Sequence, residues 1–249
     1  MSGRFGGSHM PDRYMTTDSI RRMTTSEPEQ AQINLPPTSW AVLAMLSYEE
    51  EISGYDLKKW ADWSIRYFYW SPSYSQIYSE LKKLERHGFA HSRVDADNAM
   101  RGRRLYRITP AGRAAVTAWT NSAPVDPPML KHHVMLRIMF GHLSSPDRLK
   151  EILRDHIADA ERLERSAAVD AAAAKSEPGW AYSQIVLQWA QRYYASERDL
   201  AQQLIDDIDA AESALVAAER DESADYPHPT PGRWREVEQR VKDEDPGRR

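Results

Sequence analysis

From Ala181 to Ala218 the sequence contains neither glycine nor proline. Apolar or small side chains recur there at Tyr182, Val186, Trp189, Tyr193, Ser196, Leu200, Leu204, Ile208, Ala211, Leu215 and Ala218. The intervals alternate between three and four with one extra four-four step, close to a coiled-coil seam. A helix of ~38 residues is roughly 57 Å long, too long for one side of a small domain. Such a helix needs a partner, and self-association is the cheapest one. The same region contains two more helical segments. Leu130–Leu143 is short and apolar. Ser145-Pro146-Asp147 opens a second segment that runs to about Ala174, with Leu149, Ile152, Leu153, His156, Ile157, Ala160 and Leu163 on one face.

The 249-residue chain is 41% hydrophobic, enough for a real core, and a length of this order suits one or two domains. It has no cysteine, which excludes disulfides, thiol catalysis and a Cys-ligated zinc site. No apolar run approaches the ~18–20 residues that cross a bilayer, and no secretory pattern is present, so the sequence reads as soluble, cytoplasmic and without a membrane partner. The net charge of −4 is unevenly spread: residues 36–122 carry 12 basic against 9 acidic groups, and residues 123–249 carry 17 against 24. A polyanion would meet the front half.

The front half alternates helices and strands in a telling order. Thr38 reads as the N-cap of a short apolar helix through Trp40, Val42, Leu43, Met45 and Leu46. Ser53-Gly54 starts a second helix that carries Leu57, Trp60, Ala61 and Ile65. Ser71-Pro72-Ser73 announces a third, Tyr74–His87, closed by Gly88. Its Ile77, Leu81 and Leu84 form one apolar stripe. Phe89–Val94 and Leu105–Ile108 then flank a polar turn, and Thr109-Pro110 leads straight into another helix over 110–120. This order predicts a winged helix-turn-helix, so the fold class is mainly α with a small β-hairpin wing, followed by an all-helical C-terminal dimerisation domain. The divisions are 1–34, a tag remnant (Gly7-Ser8-His9-Met10) and mobile arm; 35–122, the winged helix; 123–221, the helical domain; and 222–249, a charged tail with Trp234 as an anchor.

Three motifs resemble those of the PadR family of transcriptional regulators. Ser71-Pro72-Ser73 through Ile77-Tyr78, Leu81-Lys82 and Leu84-Glu85 to Gly88-Phe89 matches that family's third helix. Ser53-Gly54-Tyr55-Asp56-Leu57 is similar to its H-G-Y-E-L element, and Arg103-Arg104-Leu105-Tyr106-Arg107-Ile108-Thr109-Pro110-Ala111-Gly112 to its wing and exit. Order and spacing agree over about 75 residues. Ser53 stands where the family often has His, and Ser79 where it commonly has Pro. The layout of the back half is similar to the longer, virulence-activator-like branch. The resemblance implies a homodimeric, cytoplasmic, DNA-binding regulator, usually a repressor.

Ser73, Tyr74, Ser75 and Gln76 place short polar groups at the N-terminus of the third helix, and Gln76 is the side chain suited to a bidentate adenine contact. Tyr78 and Ser79 follow one turn on, and Lys82, Lys83 and Arg86 suit phosphates. The plain alternative is a solvated helix face, with Ser73 committed to capping. At the hairpin, Arg101 and Arg103 fall on one face and Arg104 with Tyr106 on the other, fit for a minor groove or phosphates. Here the alternative is pairing with Asp95 or Asp97. Tyr55, Lys58 and Lys59 are backbone candidates on the second helix.

Trp119, Trp180, Tyr182, Trp189 and Tyr193 suit either a small aromatic effector at the dimer centre or, the favoured reading, core and dimer seam. His132 and His133 are adjacent and diverge, and His156 reads as a hydrogen-bonded core histidine, so no metal site is assigned. No catalytic constellation or cofactor motif is found, and the chain reads as a non-enzyme. The reading is of two recognition helices on a pseudo-palindromic duplex, with half-sites one helical turn or a multiple apart. The rivals are an effector-sensing form of the same regulator and a winged helix that binds an acidic protein.

Overall fold

The computed structural model describes residues 35–48, 51–95, 103–219 and 231–245. The arm, Arg101 and Asp97 lie outside them. The fold is mainly helical, with one small antiparallel sheet. Helix α1 (Pro37–Met45) has no polar face, and the winged-helix core surrounds its Trp40, Val42, Leu43 and Met45. Its N-cap is Pro36, not Thr38. Pro37 occupies the first turn, where a missing N–H leaves no bond unmade, and no side chain caps the helix.

Helix α2 (Gly54–Trp63) begins as expected, with Ser53 Oγ accepting from Asp56 N–H at 3.2 Å. It ends before Ile65, and a single 3₁₀ turn over Ile65–Tyr67 follows. Helix α3 (Tyr74–Arg86) buries Ile77, Leu81 and Leu84 completely and stops at Gly88, whose φ of 71° suits glycine. The sheet has three strands, not two. Strand β1 (Ile52–Ser53) pairs with β3 (Arg103–Ile108), whose other edge pairs with β2 (Ala90–Asp95) in the register Ala90↔Ile108 and Asp95↔Arg103.

Thr109 caps α4 (Pro110–Ser122) through Gly112 N–H at 3.0 Å, and its hydroxyl donates to the Gly88 carbonyl at 2.7 Å. A Cβ on Gly112 would lie 2.1 Å from the Phe89 carbonyl oxygen. Close passage of α4 over Phe89 therefore dictates the glycine three residues after Thr109.

In the back half, α5 (His133–Met139) is shorter than Leu130–Leu143 and continues as a 3₁₀ turn over Gly141–Leu143. Helices α6 (Pro146–Ala174) and α7 (Ala181–Glu219) form an antiparallel hairpin. Lys150 pairs with Asp209 at one end, and Ala174 packs with Leu187 at the other. The first partner of the long helix is thus α6 of the same chain. The buried seam of α7 runs through Leu187, Ala190, Tyr194, Glu197, Ala201, Leu204 and Ile208, one residue later than Val186, Trp189, Tyr193, Ser196 and Leu200 over most of its length. Ala190 packs with Ala167, Ala171 and Ala174 of α6, where two backbones can approach closely, and Ala201 packs with Leu149 and Leu153. Trp189 is too large for that seam and stays half exposed.

Tyr67 joins the two halves. Only 3% exposed, it packs with Ala167, Ala171, Leu187 and Ala190, donates to Asp170 Oδ2 at 2.5 Å, and its carbonyl accepts from the Tyr194 hydroxyl at 2.7 Å. Burial above all, and then the Asp170 contact, push its phenol up to about 12. In the tail, helix α8 (Arg233–Glu244) buries no residue, and Trp234 is exposed rather than an anchor. Among the described residues no helix is long and apolar enough to cross a membrane.

Candidate nucleic-acid interface

Helix α3 is pinned from within by its buried stripe, so its opposite face has a fixed direction. Ser73, Tyr74, Ser75, Gln76, Tyr78, Ser79, Lys82 and Arg86 are all exposed there. A reciprocal capping box stiffens the N-terminal turn: Ser73 Oγ accepts from Gln76 N–H at 3.2 Å, and Ser73 N–H donates to Gln76 Oε1 at 2.8 Å. Ser73 Oγ also lies 2.9 Å from Ser75 Oγ. The acceptor of Gln76 is therefore already engaged, and a bidentate adenine contact requires this bond to be shared or broken.

Tyr78 sits over the first turn of α2. A Cβ on Gly54 would come within 2.6 Å of its ring, so the glycine of the Ser53-Gly54-Tyr55 element makes room for it. The ring is held against backbone and the residue is 38% exposed, an arrangement that fixes the hydroxyl at the surface. Tyr55 stacks on Tyr74 with ring centres 5.5 Å apart and planes 9° apart. Lys59 lies 4.7 Å from the Tyr55 ring centre, and its ammonium holds the Tyr55 hydroxyl below the usual phenol range. Lys58 is paired with Asp62 and lies 5.6 Å from the Tyr74 ring. The start of α3 and the exposed side of α2 thus form one surface of aromatic rings, hydroxyls and cations.

Two residues expected on this surface are elsewhere. Lys83 turns toward α1, pairs with Glu80 at 2.9 Å and donates to Ser39 Oγ at 3.4 Å. Tyr106 is 2% exposed inside the winged-helix core. Strand alternation does put it on the side of Arg104, but further along β3 that side is the core face shared with Ile108. Arg104 sits at the outer end of the same side and donates to Ser92 Oγ at 3.1 Å. Arg103 turns back to the cap of α2, where it pairs with Asp56 and donates to Ser53 Oγ at 3.2 Å. Asp95 is 3.6 Å from Arg93. Among the described wing arginines, Arg103 is paired, and its partner is Asp56 rather than Asp95.

The five aromatics proposed for an effector or dimer seam do not all converge. Trp180 packs on Trp63, Trp189 stacks on Tyr193 and meets Phe68 edge-on, and Trp119 stacks on Trp40. Trp119 and Tyr182 instead line a cavity of about 370 Å³ between the winged helix and α7, with Met45, Tyr48, Trp60, Ile65, Phe68 and Val186. Its walls all come from one chain. The sequence singles out Trp119 and Tyr182 but not the rest of the lining, whose residues come from separate elements, α1, α2 and α7 among them.

The fold has known counterparts. Residues 42–118 match the model of the transcriptional regulator PadR-like family. The negative transcriptional regulator PadR of Bacillus subtilis (strain 168) is 29% identical over 118 residues, 47% of this chain and 64% of that regulator, less than two thirds of its length. The solved structure of Bacillus subtilis PadR with operator DNA superposes with a TM-score of 0.59 at 23% identity, covering 69% of this chain and 98% of that one. The structure of the same regulator with p-coumaric acid gives 0.54 at 24%, with coverages of 69% and 98%. At these identities the superpositions establish the fold.

Proposed function

The chain carries a PadR-like family domain over residues 42–118, and on that premise we propose that it is a transcriptional regulator, not an enzyme, which binds operator DNA as a homodimer and represses. One observation carries the reading: the inner stripe of α3 is locked in the core while Ser75, Tyr78, Ser79, Lys82 and Arg86 stand together on its outer face. The N-terminal turn reaches base edges in a major groove, Tyr78, Lys82 and Arg86 hold phosphates, and the wing lies alongside. The DNA-binding unit is residues 35–122 and the dimerisation unit residues 123–221, with 222–249 as a charged tail. Dimerisation uses apolar surface that one chain leaves open, chiefly Leu136, Met139 and Leu143 around α5 and Tyr182, Ile185 and Leu200 on α7.

The test is fluorescence anisotropy on a random-sequence duplex pool at two salt concentrations, followed by sequencing of the bound fraction. The expected result is a steep salt dependence and an enriched inverted repeat. No binding at low salt would overturn the reading and favour a protein partner.

The aromatic cavity favours a second role, effector sensing. Its volume falls in the range of small-ligand sites, and a ligand filling it would lie between α7 and the helices α1 and α2 and so bear on how the two halves sit together. A relative has been solved with p-coumaric acid, so planar phenolic acids are the compounds to try. Quenching of the Trp60 and Trp119 fluorescence together with release of DNA is the expected result; quenching without release would contradict sensing.

A further inference from the structure

The helical half brings together three metal-ligating side chains that no motif in the sequence links. His132 is the N-cap of α5, His156 lies within α6 and Glu197 within α7. His132 Nε2 and His156 Nε2 approach the same oxygen, Glu197 Oε2, at 3.0 and 3.2 Å. All three ligand atoms lie within 4.8 Å of one another, and the two rings meet edge to face at 5.1 Å. Each side chain is mostly buried, yet each keeps some exposure, which leaves a path for solvent.

We propose that His132, His156 and Glu197 bind one divalent transition ion of the zinc type, completed by water, which ties α5 to the α6–α7 hairpin. The donors decide the class of ion: two imidazoles and one carboxylate suit zinc, nickel or copper and are a poor set for calcium or magnesium. The spacing also fits. Bonds of about 2.0–2.1 Å in a tetrahedron place neighbouring ligand atoms about 3.3–3.4 Å apart, close to the two contacts already made. Tyr193 stands one helical turn before Glu197 on the same side of α7, where its hydroxyl can act on the carboxylate as outer partners of metal ligands do.

Around the three residues lies an apolar layer of Leu153, Ile157, Ala201, Val134 and Met135. Ion loading has one internal consequence. His132 Nδ1 accepts from Met135 N–H at a long 3.3 Å; with the ion on Nε2 the ring proton moves to Nδ1, and this bond is given up. The ion then adds to the packing of Val134, Met135 and Ile138, which holds α5 on the hairpin although none of its residues is fully buried. The site does not depend on DNA binding. If the chain dimerises through α5, the ion also orders that interface.

The test uses the full chain, freed of metal by dialysis against a chelator and titrated with cobalt(II), then with zinc(II) in competition. The expected result is one ion per chain, with the intense visible absorption of a four- or five-coordinate cobalt site that zinc abolishes. His156→Gln and Glu197→Gln should each weaken binding by more than about 100-fold, while His133→Gln on the exposed neighbouring position leaves it unchanged. The weak spectrum of hydrated cobalt in the folded wild type would overturn the proposal, and this holds even if a variant fails to fold. Equal affinity in wild type and a folded His156→Gln variant would also overturn it.

Discussion

Ile77, Leu81 and Leu84 of α3 are wholly enclosed by the helices of their own winged helix, whereas Ile185, Trp189 and Leu200 of α7 remain on the surface after α7 has packed on α6. Both helices have an apolar stripe, but α7 has two. One is small and alanine-rich and closes on α6; the other is large and open. The front half is thus a finished core with a polar outer face to offer, and the back half is a frame whose folding ends with apolar surface left over. The difference separates the two tasks proposed here, DNA contact and dimerisation.

The junction gives the largest effect. Tyr67→Ala removes the side chain that enters the alanine-lined seam of the back half, and should cost roughly 3–5 kcal/mol in denaturant unfolding. If the halves then unfold in two separate transitions, Tyr67 is their main coupling. Gly112→Ala acts only inside the front half, where the new Cβ would meet the Phe89 carbonyl. A loss of about 3 kcal/mol is expected, and the α6–α7 helices should still melt cooperatively by circular dichroism. Leu200→Asp reverses the pattern. One chain leaves this residue open, so the monomer should lose no more than about 0.5 kcal/mol. Sedimentation should nevertheless show dissociation, and an unchanged dimer would move the interface elsewhere.

Lys82→Ala should weaken DNA binding to every sequence and lower the slope of log affinity against log salt by about 1. Lys83→Ala, although adjacent, should leave that slope unchanged, because Lys83 is paired with Glu80 beneath the surface. The smallest effect concerns pH. The Tyr67 phenol is raised from 10.0 to about 12, so its folded form holds the proton more tightly than the unfolded chain does. Its contribution to stability is complete below about pH 10 and is lost as pH rises toward 12. Alkaline unfolding should therefore begin at higher pH in Tyr67→Phe, where no charge can form.

Legibility in the sequence follows the range of the signal. Ser53, Ser73, Thr109 and Ser145 cap their helices as the local sequence predicts, because a cap depends on three or four neighbouring residues. The exposed face of α3 is legible for the same reason. Strand β1 was not, since two residues show no periodicity. Over most of its length the α7 seam lies one residue later than the three-four spacing predicts, because close packing on α6 takes Ala190 in place of Trp189. Tyr106 illustrates a further limit: alternation gives the face of a strand, but not where along it that face passes from solvent to core.

His132 was rightly separated from His133, yet its partner His156 comes from another helix, and neither spacing nor composition signals such a meeting. The cavity beside Trp119 is hidden for the same reason. The cavity depends on how the two halves dock, to which Tyr67 contributes, and the histidine meeting on how α5 packs against the α6–α7 hairpin.

Hydroxyl-radical footprinting of an operator recovered from the selected pool tests the division of labour most directly. Two winged helices on one frame predict two protected patches related by a dyad and separated by one helical turn or a multiple, with both lost together in Leu200→Asp. A single protected patch, or two patches that survive in Leu200→Asp, would contradict it.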